Sequence, residues 1–121
     1  HLNDIINVSL KFENGSVGVI AYYSNGSKNL PKEYIEVFSN GSTIVLSDFK
    51  ELKIYSDKNK TYKKKLLSQD KGQKEMISSY INSLFINEES PIPFRELVSV
   101  TKTTFSIIDS LQNGGKKIQI K

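Results

Sequence analysis

Cysteine does not occur in this chain, and histidine occurs once. The first absence excludes disulfides and thiolate metal sites. The second excludes a metal centre built on histidines and a buried acid–base histidine. The single one, His1, stands at the first position and reads as a remnant of an expression tag. No apolar run approaches the ~18 residues that cross a membrane, and no charged-then-apolar signal segment opens the chain, so a cytoplasmic location is expected. There is no Gly-x-Gly-x-x-Gly after a strand and no Walker loop. A nucleophile with its base would have to be a lysine, and no lysine falls inside an apolar stripe that would activate it. Of the acidic pairs, Glu88-Glu89 sits beside Pro91 at a helix end and reads as solvated loop. Asp48 near Glu51 gives no better glycosidase-like pair.

The 121 residues suit a single domain, and 37% apolar with 25% charged residues is ordinary for a globular protein. The net charge of +4 owes much to Lys58, Lys60, Lys63, Lys64 and Lys65. Such a run reads either as a phosphate or nucleic-acid contact or as a solvated hairpin whose lysines keep an edge strand from pairing with another molecule. No arginine or aromatic platform accompanies it, which favours the hairpin and makes a nucleic-acid partner the weaker expectation.

Period-two alternation puts Ile6, Val8, Leu10 and Phe12 on one face of a strand. Asn14-Gly15 turns the chain into a second strand over 17–23, with Gly18 marking a bulge or close packing. A longer loop runs from Ser24 to Pro31. Strands follow over 32–39 and 42–46, joined at Asn40-Gly41. Asp48-Phe49-Lys50 links to a strand over 52–56, and 61–67 forms a weaker one. The Asn-Gly-Ser triplets, with Asn7-Val8-Ser9 and Asn59-Lys60-Thr61, fit the glycosylation pattern but read as turn chemistry. From Gly72 the period changes. Met76, Ile77, Tyr80, Ile81, Leu84 and Phe85 make one helical stripe, with Asp70 three residues before Gln73 as a capping box. Pro91 and Pro93 force an extended link. A second helix carries Phe94, Leu97, Val98, Thr101, Phe105, Ile108 and Leu111 on one face. Gly114 and Gly115 stop it, and 116–120 alternates as a final strand.

The expected fold is α+β, a mostly antiparallel, open-faced sheet of five to seven strands with two helices packed on one face. The bare face would carry Asn7, Ser9, Lys11, Ile20, Tyr22 and some of Tyr34, Glu36 and Phe38, a contact surface for a ligand or another subunit. A register slip of one residue would instead make those groups core.

The order strand, Phe12-Glu13-Asn14-Gly15-Ser16-Val17-Gly18, strand, then two helices split by Ser90-Pro91-Ile92-Pro93 and ended by Ser110-Leu111-Gln112-Asn113-Gly114, resembles the C-terminal domain of the glucose–fructose oxidoreductase/inositol dehydrogenase (Gfo/Idh/MocA) family. The resemblance spans about residues 4–120. Asn25-Gly26-Ser27-Lys28, the run from Pro31 to Phe38, Asp48-Phe49 and Gln69-Asp70-Lys71-Gly72 look most like a branch fused behind a zinc-type alcohol dehydrogenase module. The resemblance implies a parent protein whose N-terminal Rossmann domain binds NAD or NADP and which oxidises or reduces a sugar or polyol-like substrate. Neither that domain, which carries the family's Glu-Lys-Pro motif, nor the Asp-x-x-x-His pair that the family places just upstream of the first strand is present in this sequence, so no catalytic, cofactor-binding or metal residue is carried over. What it implies here is a sheet that walls a substrate pocket and packs against another subunit in a homo-oligomer.

The candidates for substrate-side or interface contacts are Asn25, Lys28 and Lys32 around the long loop, with Tyr22 and Tyr34 on the sheet. Each has a plainer reading: turn former for Asn25, solvated charge for the lysines, packing for the tyrosines. Two other function classes fit the sequence. One is a self-standing β-sheet module binding polysaccharide or nucleic acid, and the other a pure dimerisation domain.

Overall fold

The computed structural model describes residues 5–86 and 88–120; His1, read above as a tag remnant, lies outside them. The elements run β1 (Ile5–Lys11), β2 (Val17–Tyr23), β3 (Tyr34–Ser39), β4 (Ser42–Ser47), β5 (Glu51–Ser56), β6 (Tyr62–Lys65), α1 (Gln73–Phe85) and α2 (Phe94–Gln112). The α+β class is as expected. The strands form two sheets, however: the pair β1-β2 and the antiparallel meander β3-β4-β5-β6. The separation follows from the link over residues 24–33, which is longer than a hairpin loop and contains Pro31, with no N–H for a ladder. Two compact units result, one of His1–Tyr22 with Lys74–Lys121 and the other Tyr23–Gln73.

In the first unit the Asn14-Gly15 turn forms as its residues require. Gly15 is left-handed at φ 87°, its N–H donates to the Phe12 carbonyl, and Asn14 Oδ1 accepts from Ser16 N–H at 3.0 Å. Ile6, Val8 and Leu10 alternate as half-buried positions with exposed Asn7, Ser9 and Lys11. The helix α2 ends in a Schellman motif: Gly115 N–H donates to the Ser110 carbonyl at 2.8 Å and Gly114 N–H to that of Leu111 at 3.4 Å. Among the described residues, 116–120 pair with no strand, contrary to the expected final strand. At the start of α1, Asp70 Oδ1 accepts from Gly72 N–H at 2.9 Å, and Gly72 enters the helix at φ 72°. This is a local Asx turn in place of the expected capping box.

The face that α2 half-buries also differs from expectation. Thr103, Ser106, Ile107 and Ser110 are half-buried and line a groove with β1. At 100° per residue they lie opposite the apolar stripe of Phe94, Leu97, Thr101 and Phe105. That stripe stays open, with Phe94 78% and Phe105 67% exposed. The stripe of α1 is likewise exposed, and its one buried side chain is Ser83, whose hydroxyl donates to the Tyr80 carbonyl at 2.7 Å. No apolar side chain among the described residues is buried.

Candidate functional site

The second unit carries a developed polar arrangement. Its register places Tyr34, Ser47, Glu51 and Lys65 in one row; Glu36, Val45, Lys53 and Lys63 in the next on that face; and Phe38, Thr43 and Tyr55 in the third. The intervening rows, Ile35-Leu46-Leu52-Lys64 and Val37-Ile44-Ile54-Tyr62, make the other face apolar. Strand alternation thus gives one greasy face and one face of rings and charges.

On that polar face the groups are tied in pairs. The Tyr34 hydroxyl donates to Glu36 Oε1 at 2.8 Å, and Lys53 Nζ meets Glu51 Oε2 at 2.9 Å. The hydrogen bond from Lys53 holds the Glu51 carboxyl below its ordinary range, and the same bond raises the Lys53 ammonium. Donation to Glu36 raises the Tyr34 phenol. Every one of these shifts moves a group away from neutral pH, the reverse of what a general acid or base needs.

One edge of this unit is closed by an unusual turn. Asp48 and Phe49, between β4 and β5, both adopt positive φ, at 54° and 48°. A bulky residue there costs about 1–2 kcal/mol. Four contacts hold the turn in place. Asp48 N–H donates to the Glu33 carbonyl at 2.7 Å, extending the β3–β4 ladder by one row, and Asp70 N–H donates to the Phe49 carbonyl at 3.0 Å. Gln69 Nε2 donates to Asp48 Oδ1. Lys71 Nζ sits 5.6 Å from the Phe49 ring centroid and pairs with Glu33 Oε1 at 2.5 Å. That pairing holds the Glu33 carboxyl below its ordinary range.

Of the candidates read from sequence, Tyr34 lies on the polar face, while Asn25 and Lys28 sit in turns and Lys32 in a bend, all exposed. Tyr22 lies at the end of β2, in the other unit. No hydrogen bond or ion pair joins these five to one another among the described residues. Sequence reasoning missed Glu51, Lys53 and Tyr55 as members of the face. Their alternation with Leu52, Ile54 and Ser56 was the available signal. Among the described residues no group of three His, Cys, Asp or Glu is placed to hold a metal ion, and no helix is long and apolar enough to cross a membrane. No protein-family model, no curated protein and no solved structure matches the chain.

Proposed function

We propose that this chain is the C-terminal, non-catalytic domain of an NAD- or NADP-dependent oxidoreductase acting on a sugar or polyol-like substrate in the cytoplasm. On this reading it walls the substrate pocket and carries subunit contacts of a homo-oligomer, while a Rossmann domain outside this chain holds the cofactor. The observation that carries the reading is the polar face of the four-stranded sheet. Its phenol, carboxylates and ammonium suit hydroxyl recognition, and Tyr34, Glu51 and Lys53 are each held in the form they already have at neutral pH. Hydride transfer needs a cofactor ring and a proton-transfer group over the reacting carbon; this face offers shape and hydrogen bonds.

Two further features support it. The segments singled out by the family resemblance, Glu33 within its run, Asp48-Phe49 and Gln69-Asp70-Lys71, converge on one turn. The helical stripes are exposed, and full burial of one large apolar side chain is worth about 1.5–3 kcal/mol, so stripes of this width suit surfaces made to be covered. Asn25, Lys28, Lys32 and Tyr22 remain its substrate-side or interface candidates with Tyr34.

The test is the coding sequence upstream of residue 1, joined to this chain and assayed. A glycine-rich strand–turn–helix with Glu-Lys-Pro and Asp-x-x-x-His is expected there. In the joined enzyme Tyr34→Ala is expected to raise KM several-fold with kcat little changed. A stop codon or an unrelated domain upstream removes the reading.

One observation favours a second reading, a self-standing module for polysaccharide or nucleic acid. Phe38 and Tyr55 stand in one row on the face that carries Lys63 and Lys65, and Phe38 is 70% exposed. Rings beside cations suit stacking on a polymer. Oligonucleotide titration at two salt concentrations separates the readings, because a nucleic-acid module loses affinity steeply with salt and the domain of an oxidoreductase shows no binding.

A further inference from the structure

Asparagine followed by glycine occurs four times, at 14–15, 25–26, 40–41 and 113–114. Every such pair carries one reaction in its own atoms. The glycine amide nitrogen can attack the asparagine Cγ. The N–Cγ bond forms, the side-chain nitrogen leaves as ammonia with the amide proton, and a five-membered succinimide remains. Water then reopens the ring. Cleavage at the side-chain carbonyl leaves an ordinary aspartyl residue, and cleavage at the main-chain carbonyl leaves an isoaspartyl one whose chain runs through Cβ. One water enters, one ammonia leaves, and nothing is oxidised or reduced. Glycine hinders the attack least, because it has no Cβ.

Ring closure brings the glycine nitrogen over the asparagine side chain, and the ψ this demands lies outside the helical, left-handed and extended wells alike. A pair locked in a turn must therefore open before it reacts. Three of the four are locked. Gly15 N–H donates to the Phe12 carbonyl at 3.0 Å, and Asn14 Oδ1 accepts from Ser16 N–H at 3.0 Å. Asn40-Gly41 is the two-residue tip of a hairpin closed by the Ser39–Ser42 pair, with both residues left-handed, and the Gly41 carbonyl accepts from Asp57 N–H at 3.1 Å. Asn113 Nδ2 donates to the Asp109 carbonyl and to Asp109 Oδ1, each at 2.9 Å, within the Schellman turn.

Asn25-Gly26 is different. Both residues are exposed, in the link over 24–33. Among the described residues the Asn25 carboxamide has no hydrogen-bond partner, and Gly26, alone of the four glycines, is not left-handed. The turn that follows is tied through Ser27, which accepts from Asn29 N–H at Oγ, 3.3 Å, and from Leu30 N–H at its carbonyl, 3.1 Å. Asn25-Gly26 stands outside that turn.

We propose that Asn25 is a self-modifying position: the fold leaves this Asn-Gly pair free to close to the succinimide and restrains the other three, so the link acquires an aspartyl or isoaspartyl residue at position 25 as the protein ages. The product adds one negative charge to a chain of net charge +4, in the link that also carries Lys28 and Lys32. Its isoaspartyl form lengthens the main chain there by one methylene. This chemistry does not depend on the sugar-facing role proposed above.

The test incubates the full 121-residue chain at mildly alkaline pH and follows the four pairs separately by peptide mapping, with isoaspartyl content scored by enzymatic carboxyl methylation. Each turn bond that must open slows closure roughly fivefold, so Asn25 is expected to convert at least tenfold faster than Asn14, Asn40 or Asn113 in the folded chain. In concentrated urea the four rates are expected to draw together, because the restraints are gone and the reacting pair is the same. Gly26→Ala is accommodated by the fold, since a Cβ there meets only the Tyr23 carbonyl at 3.9 Å. It is expected to slow conversion at position 25 several-fold and to leave the other three rates unchanged. Conversion of Asn25 no faster than that of the other three overturns the proposal, and so does a ranking that persists unaltered in urea.

Discussion

The two tight turns at either end of β4 share a backbone and differ in what enforces it. Asn40-Gly41 and Asp48-Phe49 both place two successive residues at positive φ, 48° and 70° in the first, 54° and 48° in the second. At Asn40-Gly41 the residue types ask for that conformation, since asparagine tolerates it and glycine has no Cβ to resist. At Asp48-Phe49 the phenylalanine resists, and the conformation is imposed by Glu33, Gln69, Asp70 and Lys71 from outside the turn. A locally encoded turn sets register; a turn held against its own preference reports that distant segments have been assembled correctly.

The largest expected effect breaks the local turn. A Cβ on Gly41 would lie 2.8 Å from Asp57 Oδ2, in a left-handed conformation that a β-branched side chain resists most. Gly41→Val is therefore expected to destabilise the chain by about 2–3 kcal/mol in urea unfolding. A stability change within experimental error would mean that the turn is not left-handed.

Next comes a swap that makes the second turn resemble the first. Asp48→Asn with Phe49→Gly relieves about 1 kcal/mol of backbone strain while removing the ring under Lys71. The expected signature is loss of coupling: Gln69→Ala costs about 1 kcal/mol in the native background and close to nothing in the swapped one. Equal costs in both backgrounds would show that the two turns are independent of their surroundings alike.

A smaller effect is expected from pH. Glu33 and Glu51 have lowered pKa values, so their contribution is full above the unfolded carboxylate range and is lost as pH falls through the folded values. Lys53 has a raised pKa, so its contribution is full below its unfolded value and is lost as pH rises through the folded one. Stability is expected to be flat near neutrality and to decline at both extremes. Lys71→Ala and Lys53→Ala should each flatten the acid limb when chemical unfolding is followed against pH. An unchanged acid limb in both variants would remove these pairs from the account.

Much of this molecule follows from residue types acting on their neighbours. The Asn-Gly turns, the glycine stop after α2 and the two helical periods all operate within a few residues, and the structure forms them where the sequence places them. What escaped depends on distance. Nothing in Asp48-Phe49 announces positive φ, because its causes lie at Glu33 and at 69–71. Which face α2 turns to β1 was misread for a similar reason. Hydrophobic period identifies the apolar stripe, yet Thr103, Ser106 and Ser110, with small side chains, line the groove. Of the candidate site, Tyr34 was found through its exposed alternation, while Glu51, Lys53 and Tyr55 needed the register to place them on its face.

The most direct measurement is the backbone conformation of Phe49, read from three-bond amide–α-proton couplings and carbon-13 shifts in the native chain and in a Gln69→Ala, Lys71→Ala double variant. A left-handed Phe49 in the native chain that leaves the left-handed region in the variant, with Asn40 and Gly41 unmoved, is the predicted result. Phe49 remaining left-handed without either partner would contradict the claim that distant segments impose this turn.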